Sequence, residues 1–183
     1  MSIEDRERWE QRHRDAAVLS PRASVLALPP ACSPAAVALD LACGQGRHAV
    51  VLRRAGYRVV AMDVSIAALR HARTMLAGDR DILAIQGDAD AWPFAPGVFD
   101  LIVQVDFLDR SLFPQLRGSL RRGGLLLIDT FLDQGQCNAE GRLRPAFLLA
   151  AGELPRVFGD FHVLRYDETR GEGARALFVA RKR

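Results

Sequence analysis

Lysine is almost absent from this chain of 183 residues: Lys182 is the only one, so arginine supplies the rest of the 25 basic side chains. A Schiff-base enzyme and a P-loop nucleotide hydrolase each need a lysine in the site, and a single lysine beside the C-terminus suits neither. Basic residues exceed the 22 acidic ones by only three. Because the arginines are dispersed among acids, the charge pattern favours a solvated surface over a nucleic-acid interface.

Cysteine is also scarce, with three residues at positions 32, 43 and 137. An odd number without a Cys-x-x-Cys pair argues against a disulfide framework or a zinc site, so we expect no metal. No apolar run approaches the roughly 18 residues that cross a membrane, and the first residues are charged, unlike a signal peptide. These absences predict a cytoplasmic protein without membrane contact.

Short apolar segments bounded by turn residues fill the middle of the chain, as expected of buried parallel strands. The predicted strands are 36–42, 58–62, 81–86, 99–104 and 125–130. The predicted helices are 47–55, 65–77 and 111–121, with Ser65 and Ser111 as N-caps and Gly123-Gly124 as the turn into the fifth strand. This alternation predicts a doubly wound α/β sheet.

The last third of the chain has a different pattern, with a short helix predicted at 152–158 and strands at 161–166 and 176–180. The connection between these two strands is too short for a helical crossover, so they should form an antiparallel hairpin. The complete prediction is a Rossmann-like, mostly parallel seven-stranded α/β sheet with helices on both faces and an antiparallel terminal hairpin.

Two parts of the chain are expected to differ in role. The sheet domain is assigned to residues 35–183. Residues 1–34 are polar at first and then broken by prolines, and Trp9 is the largest apolar side chain before Val18. We expect them to form a helical extension that docks through Trp9 and that could act as a lid.

A glycine loop joins the first predicted strand to the first helix, with the sequence Asp40-Leu41-Ala42-Cys43-Gly44-Gln45-Gly46. Gly44 and Gly46 permit a tight turn close to a ligand, and the helix start offers free N–H donors. Together with Ala49 the loop also fits the dinucleotide fingerprint, which leaves an NAD-dependent oxidoreductase open. Asp40 disfavours that alternative because a carboxylate would repel a pyrophosphate, whereas it can hold a cationic amino group.

Three acids, Asp40, Asp63 and Asp88, follow the first three predicted strands and should therefore share one edge of the sheet. Asp63 suits the two hydroxyls of a ribose, and Asp88 suits the exocyclic amine of adenine. A ligand with an amino-acid end, a ribose and an adenine satisfies all three. S-adenosylmethionine is such a ligand.

At this point the chain resembles the class I S-adenosylmethionine-dependent methyltransferases over about residues 35–181. The matching segments are 39–46, 62–65, 87–89, 99–103 and 120–125. The resemblance implies S-adenosylmethionine as cofactor. It also implies which positions hold it: Asp40, Gly44 and Gly46 at the methionine end, Asp63 and Val64 at the ribose and adenine, Asp88 and Ala89 at the adenine edge, and Gln104 at the methyl-transfer site, with Cys43 packed inside the loop.

Within that class the chain most resembles the small tellurite-resistance and thiopurine-type methyltransferases. The segments behind this are 8–12, 46–48, 108–113 and 147–154. The resemblance implies a small-molecule acceptor such as a thiol or a chalcogen oxyanion. Strand four ends in Gln104-Val105-Asp106-Phe107 and lacks the Asn/Asp-Pro-Pro-aromatic signature of amino-methylating nucleic-acid enzymes, so a nucleic-acid acceptor is disfavoured.

The chemistry that follows from this cofactor is in-line transfer from a sulfonium to a small molecule. Because the leaving group is neutral, alignment can carry much of the rate, and a base is needed only for a protonated acceptor. Arg47, His48 and Arg110 are candidates to steer an anionic acceptor, although salt bridges or packing would explain them equally well. A module that binds the cofactor without transferring its methyl group is the main alternative function. Nothing in the sequence predicts an oligomeric state.

Overall fold

A computed structural model of the chain describes residues 3–14, 17, 19–75, 79–134 and 145–183. The described strands are β1 (Val37–Leu41), β2 (Arg58–Asp63), β3 (Ile82–Gln86), β4 (Phe99–Val105), β5 (Leu120–Phe131), β6 (His162–Thr169) and β7 (Arg175–Arg181). The described helices are α1 (Ile3–Arg14), α2 (Ala23–Leu26), α3 (Arg47–Arg54), α4 (Ile66–Met75), α5 (Phe113–Ser119) and α6 (Glu153–Val157).

All seven described strands form one sheet in the order β3-β2-β1-β4-β5-β7-β6. Strands β1 to β5 pair in parallel, and β7 is antiparallel to both β5 and β6. The predicted Rossmann-like sheet with an antiparallel terminal hairpin is therefore confirmed. A reversal of strand order lies between β1 and β4, and such a point is where open α/β sheets bind ligands.

The hydrophobic core has two halves, one on each face of the sheet. Successive residues of β4 alternate between them: Ile102 packs with α5 and α6, whereas Leu101 and Val103 pack with α3 and α4. Both faces of the central strands are thus covered, which explains why these strands are mostly apolar on both faces. Phe158 packs edge-on against Phe113 at 5.4 Å between ring centroids.

Two predicted boundaries are wrong in the region before β5. Ser111 does not cap a helix; instead its backbone N–H and hydroxyl both donate to Asp109, at 2.9 and 2.7 Å. The chain makes a short 3₁₀ turn there, and α5 runs only over Phe113–Ser119. An Asx turn and a helix N-cap use the same residue types, so the sequence pattern could not separate them.

The glycine pair before the fifth strand is also placed differently from the prediction. Strand β5 already begins at Leu120, and Gly123-Gly124 lies within it. Gly123 adopts φ +79°, and a Cβ on Gly124 would lie 2.9 Å from the Arg121 carbonyl oxygen. The glycines therefore serve an irregular stretch of strand, where β5 shifts register against β4.

Some sequence-based predictions fall outside the described residues. They include the last residues of the predicted 65–77 helix and Cys137. Among the helices the structure describes, none is long and apolar enough to cross a membrane.

Candidate active site

A cleft of about 520 Å³ opens at the edge of the sheet where the parallel strands end. Because β7 runs antiparallel, its first residues reach the same edge. The cleft lies within the size range of small-molecule sites. The structure divides its lining into two halves: one at the ends of β1 and β2, and one at the ends of β4 and β5 beside the start of α3.

The glycine loop forms the floor of the first half. Ala42, Gly44 and Gly46 all have left-handed backbone angles, with φ of 55°, 55° and 82°. Gly46 does not line the cleft; it is the residue from which α3 starts. Cys43 is buried within the loop, where burial and the nearby Asp40 raise the pKa of its thiol well above the usual value.

Asp63 is the acid that the structure places directly in the cleft wall. Its Oδ2 accepts a hydrogen bond from the Gly44 N–H and its Oδ1 accepts one from the Ser65 N–H, both at 2.8 Å. Burial raises the pKa of this carboxyl despite these two bonds. Val64 lies beside it in the lining. Asp63 thus fixes the glycine loop to the end of β2 while its remaining lone pairs face the cleft.

Asp40 is absent from the described lining of the cleft, and its contact with the methionine end of the cofactor stays a prediction. Its side chain is 1% exposed. The Ala49 N–H donates to it, whereas Oδ2 has no hydrogen-bond partner among the described residues. Burial and the neighbouring Asp63 raise the pKa of Asp40 to about 7.

Two further predicted ligand residues also turn away from the cleft. Asp88 accepts from the Asp90 N–H at 3.1 Å and pairs with Arg6 at 3.2 Å. Gln104 is fully buried and donates to the Phe107 carbonyl at 2.9 Å, which holds the turn after β4.

The third strand still contributes to this half of the cleft through two small residues. Gly87 and Ala89, on either side of Asp88, line it. Of the predicted adenine-edge residues, Ala89 is therefore the one that the structure places in the wall.

Helix α1 lies across this half of the cleft. Glu10 accepts from the Ser65 hydroxyl at 2.8 Å and from the Ala67 N–H at 3.2 Å, at the start of α4. Trp9 and His13 line the cleft, and a Cβ on Gly44 would lie 3.4 Å from the His13 ring. The N-terminal segment is therefore docked over the glycine loop; its action as a lid stays a prediction.

The second half of the cleft is centred on Asp106, which follows β4 with a left-handed φ of 56°. Three guanidinium groups meet its carboxylate, at 3.1 Å from Arg22, 2.6 Å from Arg47 and 2.7 Å from Arg175. Burial alone would raise the pKa of Asp106, but the arginines outweigh it and hold the pKa below the usual value. The carboxylate is therefore ionised at neutral pH.

Asp129 extends this cluster behind the cleft lining. Its Oδ1 accepts from Arg175 at 2.7 Å, and its Oδ2 accepts from the Ser24 hydroxyl at 2.5 Å. A guanidinium that bridges Asp106 and Asp129 ties the end of β4 to the end of β5.

His48 lines the cleft beside this cluster as a neutral imidazole. Burial and the adjacent Arg47 lower the pKa of His48 to about 4. Its Nε2 accepts the Arg22 N–H at 3.2 Å. Because a neutral ring carries a single N–H, this bond assigns the proton to Nδ1. His48 can therefore donate a hydrogen bond into the cleft, but its ring arrangement does not suit a general base.

Arg110 does not join the other predicted steering residues. Its guanidinium pairs with both oxygens of Glu153, at 2.6 and 2.8 Å, and donates to the carbonyls of Ala146 and Leu148. It is absent from the described lining of the cleft. Its donors hold residues 145–153 in place, so Arg47 is the predicted steering arginine that the structure places at the site.

Aromatic side chains complete the second half. Phe107, Phe131 and Phe147 line it, and the Arg175 guanidinium lies 4.8 Å from the centroid of the Phe131 ring. This acceptor-side set was largely missed in the sequence. Asp129 ends a strand as Asp40 and Asp63 do, which could have been a signal.

No metal centre accompanies these groups in the part of the chain that the structure describes. Within it, no three His, Cys, Asp or Glu side chains are arranged to hold an ion.

Comparison with known proteins gives this cleft a context. Residues 38–124 match the protein family described as "Methyltransferase domain". That segment contains the glycine loop, Asp63, Asp106 and the four parallel strands from β1 to β4.

Individual proteins are more distant. The chain is 30% identical over 146 residues to "Hemagglutinin 1" of Eikenella corrodens, which covers 73% of this chain and 46% of that protein. It is 37% identical over 115 residues to the "Malonyl-[acyl-carrier protein] O-methyltransferase" of Pectobacterium atrosepticum, which covers 60% and 44%. The chain thus spans less than half the length of the curated relatives it matches.

One solved structure matches a larger share of this chain than these two relatives do. The crystal structure of TehB from Haemophilus influenzae superposes with a TM-score of 0.71 at 25% identity. The match covers 81% of this chain and 58% of that one.

Proposed function

We propose that the chain is a methyltransferase that depends on S-adenosylmethionine and transfers a methyl group from that cofactor to a small-molecule acceptor; the match of residues 38–124 to the methyltransferase domain family supports this. The observation that carries the proposal is the continuity of the cleft. A glycine loop fixed by Asp63 forms one half, and a cluster of arginine and aromatic side chains forms the other. The two halves meet at the reversal of strand order.

The residues of the first half fit the cofactor. Asp63 presents a carboxylate to the cleft where two ribose hydroxyls could donate to it. Gly87 also lines the cleft, and a Cβ there would lie 2.7 Å from the Met62 methyl group, so the position has no room for a side chain. The unpartnered Oδ2 of Asp40 adds negative potential beneath the glycine loop, which favours a cationic amino group above it.

The proposed acceptor is a soft or anionic small molecule, such as a thiol or an oxyanion. Arg47 lines the cleft and supports an anionic acceptor. The likeness to TehB of Haemophilus influenzae supports the same general type of enzyme.

The mechanism we propose is in-line transfer with little acid–base work by the protein. The bound cofactor would supply an electrophilic methyl group on a sulfonium. His48 has its lone-pair nitrogen occupied by the Arg22 N–H, and Asp106 is neutralised by three arginines. Neither suits a strong base, so the acceptor should react as an anion. The chain then contributes alignment and charge complementarity, which can supply several kcal/mol.

Calorimetric titration with S-adenosylmethionine, S-adenosylhomocysteine and NADH tests the proposal. We expect micromolar binding of the two sulfur ligands and no binding of NADH. Binding of NADH alone would overturn it in favour of an oxidoreductase. If the sulfur ligands bind but a panel of thiol and oxyanion acceptors yields no S-adenosylhomocysteine, the chain is a binding module instead.

Removing the anchor of α1 should weaken cofactor binding. Glu10→Ala deletes the acceptor for the Ser65 hydroxyl and the Ala67 N–H, so α1 should lose its position over the cleft. Two such bonds contribute about 1 kcal/mol each, so we expect the Kd for S-adenosylhomocysteine to rise about 5–30-fold. Calorimetry measures the change. Glu7→Ala, on an exposed position of the same helix, is the matched control; equal affinities for both variants would exclude a lid role for α1.

A further inference from the structure

The half of the cleft at the ends of β4 and β5 contains more positive than negative charge. Arg22, Arg47 and Arg175 carry three positive charges, whereas Asp106 and Asp129 carry two negative ones. His48 is neutral and adds none. Arg12 also lines the cleft, and so does Asp63 in the other half. The five-residue cluster therefore keeps a net charge of +1 in a partly buried place.

The same arginines retain unused hydrogen-bond donors. Arg22 Nε and Arg175 Nη1 are buried and have no acceptor among the described residues. A buried guanidinium N–H without an acceptor is costly, because it has lost its water and gained nothing. An anionic group in the cleft beside Arg22 and Arg47, which both line it, would balance the remaining charge.

The three arginines come from separate elements and converge on one carboxylate. Arg22 precedes α2, Arg47 is the first residue of α3 and Arg175 is the first residue of β7. The Asp106 carboxylate at their centre is held by a left-handed backbone, which is uncommon for a residue other than glycine. The pairing with Asp106 holds the three guanidinium groups close together.

An apolar wall adjoins these charges. Phe107, Phe131 and Phe147 line the same half of the cleft. A bare inorganic oxyanion would use the arginines but leave these rings without a partner. A flat or apolar organic body would cover them, and such burial contributes about 25 cal/mol per Å².

We propose, resting on the proposed methyltransferase function, that the acceptor has one carboxylate as its anchoring group, joined to an aromatic or apolar body that carries a separate group to receive the methyl. The arginine cluster binds the carboxylate as an anchor, and the three phenylalanines pack against the body. Asp106 determines the charge that the site accepts, because with Asp106 and Asp129 in place the three arginines still lack one negative charge. A phosphate monoester carries two negative charges, so it would leave the cluster with a net negative charge.

The test uses binding to protein saturated with S-adenosylhomocysteine, so that it does not depend on turnover. The probes are 1-naphthoate, the neutral 1-naphthamide, acetate and 1-naphthyl phosphate, each titrated by calorimetry. We expect 1-naphthoate to bind at least about tenfold more tightly than each of the others, as one charge-assisted hydrogen-bonded contact implies. If acetate equals naphthoate, the site takes a bare anion; if the amide or the phosphate equals or exceeds it, the monoanion assignment is wrong.

Two variants with opposite expected effects sharpen the test. Asp106→Asn keeps the left-handed backbone, which asparagine tolerates, and removes one negative charge. It should bind naphthoate about tenfold more tightly without changing the affinity for naphthamide. Arg47→Met should lower the preference for naphthoate over naphthamide to within about threefold. Arg70→Met, on an exposed position of α4, is the control and should behave as the wild type.

The outcomes separate this inference from the proposed function. Loss of S-adenosylhomocysteine binding in the wild type would contradict the proposed function itself. Retained cofactor binding with no naphthoate preference, or with Asp106→Asn weakening naphthoate, would overturn the anion anchor alone. Retained cofactor affinity in Arg47→Met would show that the lost preference does not come from misfolding.

Discussion

Replacing Asp63 with alanine is expected to weaken binding of S-adenosylmethionine by roughly 10–100-fold, since each hydrogen bond to a charged group contributes about 1.5–3 kcal/mol. The substitution removes the carboxylate from the cleft wall. It also leaves the Gly44 and Ser65 N–H groups without their acceptor, so the glycine loop loses its tie to the end of β2. Calorimetric titration with the cofactor measures the effect.

Two further variants separate the ligand contact from general damage. Asp63→Asn keeps the volume and one acceptor oxygen, so its affinity should fall between those of wild type and Asp63→Ala. Asp167→Ala removes an exposed acid on β6, paired with Arg165, and should leave the affinity unchanged. If Asp63→Ala binds the cofactor as tightly as Asp167→Ala does, the assignment of the ribose site to Asp63 is wrong.

The strands of this fold were readily predicted from the sequence because their signal is local. The predicted boundaries of β1, β2 and β4 lie within one residue of those in the structure. Each is an apolar run ended by a turn or a charged residue. Strand β5 differs because its first residues pair with β4 across a register shift, and the glycines that suggested a turn lie inside it. The start of β5 is therefore determined by its pairing with a distant segment, β4, and not by the local sequence.

The sequence predicts well those site residues whose position follows from the strand order alone. Asp63, Gly44 and Val64 line the cleft as expected, because a residue at the end of a parallel strand must reach that edge. Asp40 and Asp88 share the edge, but their side chains turn toward the Ala49 and Asp90 N–H groups. The residue type at a strand end can be inferred from the sequence; the direction of its side chain depends on neighbours that the pattern does not specify.

The arginine cluster could be predicted from the sequence even less. Arg22 and Arg175 are 153 positions apart, and only the antiparallel direction of β7 brings the first residue of that strand to the cleft. Among 24 dispersed arginines, no local feature distinguishes these two. Their importance follows from convergence on Asp106, which is a property of the folded chain.

Replacing Asp40 with asparagine should make the protein more stable than wild type at high pH but not at low pH. The pKa of Asp40 is raised by burial to about 7, against an ordinary value of 3.8. Between these values the folded state keeps a proton that the unfolded state has lost. Wild-type stability therefore falls as pH rises through this window, and above pH 7 the full cost of the buried charge remains.

Asp40→Asn removes that titration while keeping an oxygen that can accept the Ala49 N–H. The difference in unfolding free energy, variant minus wild type, should therefore rise by about 3 kcal/mol between pH 5 and pH 8.5, at about 1.4 kcal/mol per pH unit below the folded pKa. Urea unfolding at four pH values in this range measures it. Asp167→Asn, on the exposed face of β6, should show no such trend.

The sign of the trend tests the account of Asp40 directly. A difference that stays constant with pH would mean that Asp40 is ionised throughout, and therefore that a cation or water in solution satisfies its Oδ2. A rise through the stated window is expected only if the carboxylate lies buried beneath the glycine loop beside a second acid, Asp63. That pair of charges would also give the loop its preference for a cationic group.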